Sequence, residues 1–256
     1  MKYKIISLLL AVAPATMVAQ EVVRTSTYQV GVGSTHILDT YLSQEHFSGT
    51  GLTYLYTTDR ARTDRSWHTL MEHQANIAHV NDRPDQVDEL LGDYTFFIGR
   101  LRRWSLLSSR LTLEAGGIAA VNVGFIYNTY NSNSPAQARL SLNVMPTGAA
   151  TYRFRLFGRN AAMRYEVQMP LLGVMFSPNY GQSYYEIFNQ GNYDHNVVFT
   201  TLAVPQLRHH LSVDVPLSAR YALRVGYLGD YRQAKPNNLR QHHYYNAATV
   251  GLVITK

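Results

Sequence analysis

The chain has 256 residues, 46% hydrophobic and 16% charged, and no cysteine. That bounds it to one or two domains and excludes both a disulfide scaffold and zinc sites of the paired-cysteine kind. Its 17 Gly and nine Pro are ordinary, so collagen-like and disordered readings drop out as well. Two biases stand out: 19 Tyr against two Trp and nine Phe, and four Lys among 23 basic residues. The formal net charge of +6 is scattered. The only dense basic run, Arg100, Arg102 and Arg103, is too short for a nucleic-acid footprint, and no nucleic-acid partner is expected.

Lys2 and Lys4 precede an apolar run from Ile5 to Ala13, and a small residue stands at Ala19. This reads as a secretory signal peptide over 1–19, leaving 20–256 as a single domain. The run is far shorter than the about 20 apolar residues of a spanning helix. No later segment is long and apolar enough to be one. Instead the remainder of the chain alternates. From Leu111 to Tyr127 every odd position is apolar or small, while Thr112, Glu114 and Asn122 hold even positions. The same alternation runs through Leu140–Leu156, Met163–Leu171, Leu207–Val215 and Tyr221–Tyr231, each with one apolar and one charged face. Period two is the signature of a strand.

Turn signals divide the chain into strands near 27–42, 49–60, 66–80, 92–104, 110–128, 138–157, 161–176, 197–215, 220–233 and 243–256. Strands of soluble sandwiches run to about 5–6 residues, and these are much longer, with Arg and Glu in mid-strand. A soluble extracellular sandwich or lipocalin-like barrel is the competing architecture. The better fit is an all-β, antiparallel transmembrane β-barrel of ten strands, apolar outside and polar inside. Only closure leaves no unpaired backbone in lipid. A split at Pro205, with Ser183–Asn189 as an added strand, makes twelve. The connections at 43–48, 81–91, 129–137, 177–196 and 234–242 are the longer ones and fall at one end. Pro84 and Gly92 bracket a predicted helical turn in the second of them. Trp67 and Trp104 fall at the other end.

The stretch Pro170-Leu171-Leu172-Gly173-Val174-Met175-Phe176-Ser177-Pro178-Asn179-Tyr180-Gly181-Gln182-Ser183-Tyr184-Tyr185-Glu186-Ile187-Phe188 resembles a segment of an uncharacterised domain-of-unknown-function family. Its members are secreted or outer-membrane proteins of Bacteroides-type Gram-negative bacteria. Gly226–Asp230 and Asn237–His242 are similar too. The resemblance implies a compartment, the outer membrane reached after secretion through the inner membrane, and no chemistry.

Candidate functional residues form two sets. The inward charges Glu114, Arg139, Arg153, Arg155, Arg164, Glu166, Arg208, Asp214, Arg224, Asp230 and Arg232 either pair across the lumen and fill it, or form an Arg-rich constriction that favours anions. The loop 177–196 carries Tyr180, Gln182, Tyr184, Tyr185, Glu186 and Tyr193, a composition suited to a plug, a lid or a ligand-recognition surface. The adjacent pairs His209-His210 and His242-His243 would point to opposite faces of a strand, so no metal site is expected, and no cofactor. Ser183, Asp194 and His195 offer the residue types of a rim hydrolase without a spacing that compels their approach. The expected protein is therefore a non-enzymatic barrel with a structural, surface-recognition or limited transport role. A narrow anion-preferring pore and a rim hydrolase are the alternatives. Its expected partners are outer-membrane lipid and lipopolysaccharide, with a surface glycan or protein as a further candidate.

Overall fold

The computed structural model describes residues 22–256 other than Asn133 and Phe157; the expected signal peptide, 1–19, lies outside the described residues. The strands are β1 (Val22–Asp39), β2 (Phe47–Arg62), β3 (Trp67–Asn81), β4 (Asp88–Leu106), β5 (Leu111–Asn128), β6 (Ala136–Leu156), β7 (Arg159–Gln168), β8 (Leu172–Phe176), β9 (Val197–Thr201), β10 (Leu207–Pro216), β11 (Tyr221–Ala234) and β12 (Gln241–Thr255), with one helix, α1 (Tyr184–Phe188), between β8 and β9. Ten of them close a ring in the order β1-β2-β3-β4-β5-β6-β7-β10-β11-β12, every neighbouring pair antiparallel, with β12 back on β1. Partner residues traced once round the ring lead from Val23 through Ala61, His68, Leu101, Gly116, Thr147, Gln168, Arg208, Asp230 and Tyr245 to Thr35 on β1. That stagger, from position 23 to position 35 of one strand, is what tilts the strands of a closed barrel.

The ten expected strands are present, and the twelve-strand alternative is corrected: Ser183 caps a helix, and the two extra segments arise because two staves are broken. Pro146 and Pro170 both lie where the β6–β7 ladder breaks, with the Met169 amide donating to the Pro146 carbonyl at 3.2 Å, and neither proline can donate to the ladder. Val144 pairs with Leu172 but Thr147 with Gln168, so Met169–Leu171 bulges by one residue. Residues 202–206, with Pro205, form a larger excursion between β9 and β10. Above it β9 pairs with β8 alone, and the edge of β11 at Arg232–Ala234 has no strand on that side among the described residues. The Gln233 amide crosses the seam to the Pro205 carbonyl at 2.6 Å. The helical turn expected between Pro84 and Gly92 is also corrected. The Asp82 carboxylate accepts from the Gln86 and Val87 amides in a tight loop, and Asp88–Gly92 already pairs with Ile77–Asn81.

The wall is inside-out. Val30, Val32, Leu52, Ile77, Leu113, Val121, Val123, Leu142 and Val225 are exposed on the outer face, while Gln29, Glu72, Gln74, Asn76, Glu114, Glu166, Gln168 and Arg208 are buried on the inner one. Short turns and both described termini lie at one end, together with exposed Trp67 and Trp104. The longer loops lie at the other. Gly33 and Gly51 face each other across β1 and β2. A Cβ on Gly33 would come within 1.7 Å of the Asn246 carbonyl, and one on Gly51 within 2.9 Å of the Tyr245 ring. That clearance seats Tyr245, which is 1% exposed, inside the barrel.

Candidate functional site

The inward face of each strand supplies one column of side chains to the lumen, and the columns meet. At the centre Arg208 of β10 lies over the Phe97 ring at 4.8 Å. It pairs with Glu72 of β3 and donates to Gln74 Oε1 at 2.9 Å and Gln168 Oε1 at 3.2 Å. Toward the loop end Arg232 joins Asp230, at 2.6 Å, to Asp93, at 3.2 Å; Gln74, Asn76 and Asn122 also donate to these carboxylates. Further up, Arg139 reaches Asp39 at 3.3 Å.

Toward the short-turn end Glu114 takes Arg103 at 2.7 Å and Arg164, which also holds Glu166 at 2.8 Å. Asp59 takes Arg103 at 3.0 Å and His68 Nδ1 at 2.7 Å. Arg224 grips Asp214 with two bonds, 2.6 and 2.7 Å. Such forked guanidinium–carboxylate pairs are the strongest form of this contact.

Nine of the eleven charges singled out in the sequence thus sit in ion pairs across or along the inner wall. Arg153 instead donates to the Ser109 carbonyl and the Thr112 hydroxyl at the mouth, and Arg155 is exposed at the end of β6. The partners Asp39, Asp59, Glu72, Asp93 and Arg103 were not among the candidates. No reading of the sequence placed them inward, because each lies in a stretch where both faces carry bulky or polar residues and the alternation is weak.

Apolar side chains fill what the ion pairs leave. Leu70, Phe97, Leu101, Ile118, Ala120 and Met145 form one buried cluster, and Leu55, Leu228, Tyr245 and Ala247 another. Near the loop end Ile37, Leu42, Phe47, Ala78, Val80, Leu91 and Ile126 make a third. The cavities that remain on the seam side are about 50 Å³ each, room for little more than a water, whose share of liquid volume is about 30 Å³. One larger recess, about 280 Å³, opens at the short-turn end. Its walls balance Asp59, Glu72, Glu114, Glu166 and Asp214 against Arg103, Arg153, Arg164 and Arg224, so it carries no excess of positive charge for an anion filter.

Asp59, His68 and Glu114 bring three potential ligand atoms within 4.8 Å of one another. The cation there is already supplied by the protein. Arg103 bonds both carboxylates and Arg164 bonds Glu114, which suits an ion-pair network better than a cage for a metal.

The loop 177–196 is a structured cap. Ser183 and Glu186 form a capping box: the hydroxyl accepts from the Glu186 amide, and the carboxylate accepts from the Ser183 amide at 2.7 Å. The Ser183 amide, with the Ser183 hydroxyl donating to the same carboxylate at 2.9 Å, holds the Glu186 carboxyl below its ordinary range. Gln182 and Asn196 tie the loop internally, and the Asn237 amide from the next loop donates to the carbonyls of Ser177, Pro178 and His195. Tyr184 turns inward; its hydroxyl donates to Gln137 Oε1 at 2.8 Å and accepts from the Ala138 amide at 2.7 Å. Burial pushes this phenol up to about 12. Ile187 is fully buried beside it, whereas Tyr180, Tyr185, Phe188 and Tyr193 are 61–81% exposed. The Ser183 hydroxyl, bonded to Glu186, is committed to the cap rather than poised beside a base.

Residues 3–255 match the model of a family described as proteins of unknown function. The chain belongs to the DUF3316 family. No curated protein matches this DUF3316 sequence. Among solved structures it is similar in fold to the outer membrane protease OmpT from Escherichia coli, with a TM-score of 0.53, 9% identity, and 93% of this chain and 98% of that one covered. Neisserial surface protein A aligns with a TM-score of 0.38 at 9% identity, over 90% of this chain and 96% of that one. An outer membrane channel from Pseudomonas putida F1 aligns at 0.38 and 9%, over 93% and 96%. The fold of the DUF3316 chain is thus that of the outer-membrane β-barrels.

Proposed function

We propose that this protein is a non-catalytic integral outer-membrane barrel of a Gram-negative bacterium, delivered by a cleaved signal peptide, whose closed lumen serves as a scaffold for a surface-facing recognition loop. One observation carries the reading: the lumen charges are spent on each other. Arg208, Arg232, Arg164 and Arg103 each bind a carboxylate of another strand, and apolar clusters pack between these layers. Free charges lining open water would favour a pore; charges paired at bonding distance favour a filled barrel.

The exposed aromatic side chains of the 177–196 loop supply the outward half of the reading. Four rings stand on a short helix and its flanks, fixed by a capping box, by Tyr184 and by Asn237, and rigid aromatic groups on an ordered scaffold are well suited to bind a glycan or a protein partner. The test is conductance in planar bilayers. The folded protein inserts without opening stable channels, and deletion of Gly181–Asn192 leaves it folded and still non-conducting, because the ion-pair layers lie below the loop. Stable anion-selective conductance of the intact protein would replace this reading by the pore.

A further inference from the structure

The outer face of β1–β4 near the short-turn end carries a row of arginines that no carboxylate meets among the described residues. Arg24 of β1 stands directly opposite Arg60 of β2, Arg60 opposite Thr69 of β3, and Thr69 opposite Arg100 of β4. Arg102 lies two residues beyond, opposite Trp67. All four arginines are exposed, and none takes part in an ion pair among the described residues. The groups beside them are aromatic: Arg24 donates to the Tyr56 hydroxyl, Arg100 lies 6.0 Å from the Trp67 ring and Arg102 5.4 Å from the Trp104 ring. The turn carboxylate Asp64 is occupied by Arg62 and Arg65.

Like charges directly opposite on neighbouring strands repel, so the pair Arg24 and Arg60 is unfavourable unless an anion lies between them. Four residues up the strands, Tyr28, Tyr56, His73 and Phe96 form a registered aromatic row, with the Tyr28 and Tyr56 rings stacked at 4.8 Å. Beyond it the face is apolar, with Val30, Val32, Leu52 and Ile77 exposed. Aromatic rows of this kind mark the boundary between headgroups and acyl chains. The arginines therefore lie at headgroup depth. At the end of the neighbouring strand β12 the exposed Lys256 stands level with Arg24, and β11 beyond it presents Tyr221 and Leu223, so the basic patch ends there and is not a uniform collar.

We propose that Arg24, Arg60, Arg100 and Arg102 form a binding site for the phosphate of an anionic phospholipid in the leaflet at the short-turn end, with Trp67 and Trp104 flanking the headgroup. The inference rests on the membrane-spanning reading above.

Both of the chain's tryptophans border the site, so they report on it. The protein is folded into phosphatidylcholine vesicles, and brominated phosphatidylcholine or brominated phosphatidylglycerol is added stepwise. Brominated phosphatidylglycerol quenches at several-fold lower mole fraction. Arg24→Gln and Arg60→Gln, which leave both tryptophans and their stacked arginines in place, each reduce that preference about fivefold, and raising the salt weakens it. Inorganic phosphate at millimolar concentration does not compete. Equal quenching by the two lipids, with the protein still migrating as a folded barrel, overturns the site, as does a preference that inorganic phosphate abolishes. If the variants fail to fold, the wild-type comparison decides alone. Quenching by neither lipid would instead contradict the membrane-spanning reading.

Discussion

Replacement of Arg208 by Met tests the filled lumen where it is most heavily loaded. Arg208 is 3% exposed and Glu72 5%, and they come from strands 136 residues apart. Removing the guanidinium leaves the Glu72 carboxylate with the Thr57 hydroxyl, at 3.1 Å, as its remaining hydrogen-bond partner among the described residues. It also strips the donors from Gln74 Oε1 and Gln168 Oε1. Breaking a buried pair by removing one partner costs about 3–5 kcal/mol, and the two orphaned acceptors push the value to the upper part of that range. The thioether of Met keeps most of the packing on Phe97. In Arg208→Met/Glu72→Met no charge is stranded, and stability returns to within about 2 kcal/mol of wild type. Urea unfolding in phospholipid vesicles, monitored by tryptophan fluorescence and by gel mobility without boiling, gives both values. A loss under about 1 kcal/mol for the single variant would show that water solvates Glu72 as well as Arg208 does, and the filled lumen would be wrong.

Arg placed at Val123, on the outer face, should destabilise the folded protein by about 2–4 kcal/mol in lipid, while Arg at Asn122, facing the lumen cavities, should cost clearly less; vesicle unfolding titrations compare them, and equal losses would point to a soluble sandwich. Ser183→Ala should loosen α1 by about 1 kcal/mol, seen as faster amide exchange at Glu186 and Ile187 with no change in the strands. Because the Glu186 carboxyl is held below its usual range by the Ser183 amide and hydroxyl, its contribution to the cap is complete above the unfolded-state value and is lost as pH falls through the folded one; limited proteolysis of the 177–196 loop should therefore quicken as the pH falls below the ordinary Glu range of about 4.3, with the strands unaffected, and Glu186→Gln should remove that dependence.

The outer wall was legible because it obeys one rule along each strand: Leu113, Val121 and Val123 of β5, Leu140, Leu142 and Val144 of β6 and Leu223 and Val225 of β11 keep one parity within their own strand, and lipid-facing positions have no other constraint to satisfy. The lumen was half legible. Glu114, Arg208 and Asp230 betray themselves as charges opposite apolar neighbours, but Phe97, Leu101, Ile118 and Met145 fill the interior with residues of the same chemistry as the exterior, so Phe96-Phe97 or Leu90-Leu91 shows no alternation. Which charge meets which was not readable, since Glu72 and Arg208 meet only once the ring has closed. The two broken staves arise at Pro146, Pro170 and Pro205, all visible in the sequence; their consequence depends on which neighbouring strand each proline faces, β6 against β7 for the first two and the edge of β11 for the third. The capping box Ser183-Tyr184-Tyr185-Glu186 was a readable helix start, masked by aromatic residues that also suit a strand. Pro84 and Gly92 misled in the opposite direction, because Asp82 closes a short loop with its own side chain and leaves Asp88–Gly92 free to pair with β3.

Heat-modifiable electrophoretic mobility tests the membrane-spanning barrel most directly. An outer face of Val30, Leu52, Ile77 and Val123 requires an amphiphile to cover it, whereas a soluble sandwich or lipocalin-like barrel requires none. Purified protein diluted from urea into detergent micelles or thin phospholipid vesicles should yield a faster-migrating unboiled band that collapses to the unfolded position on boiling, and the same dilution into plain buffer should yield aggregate and no such band. A folded, monomeric, cooperatively melting protein in buffer free of detergent and lipid would contradict it.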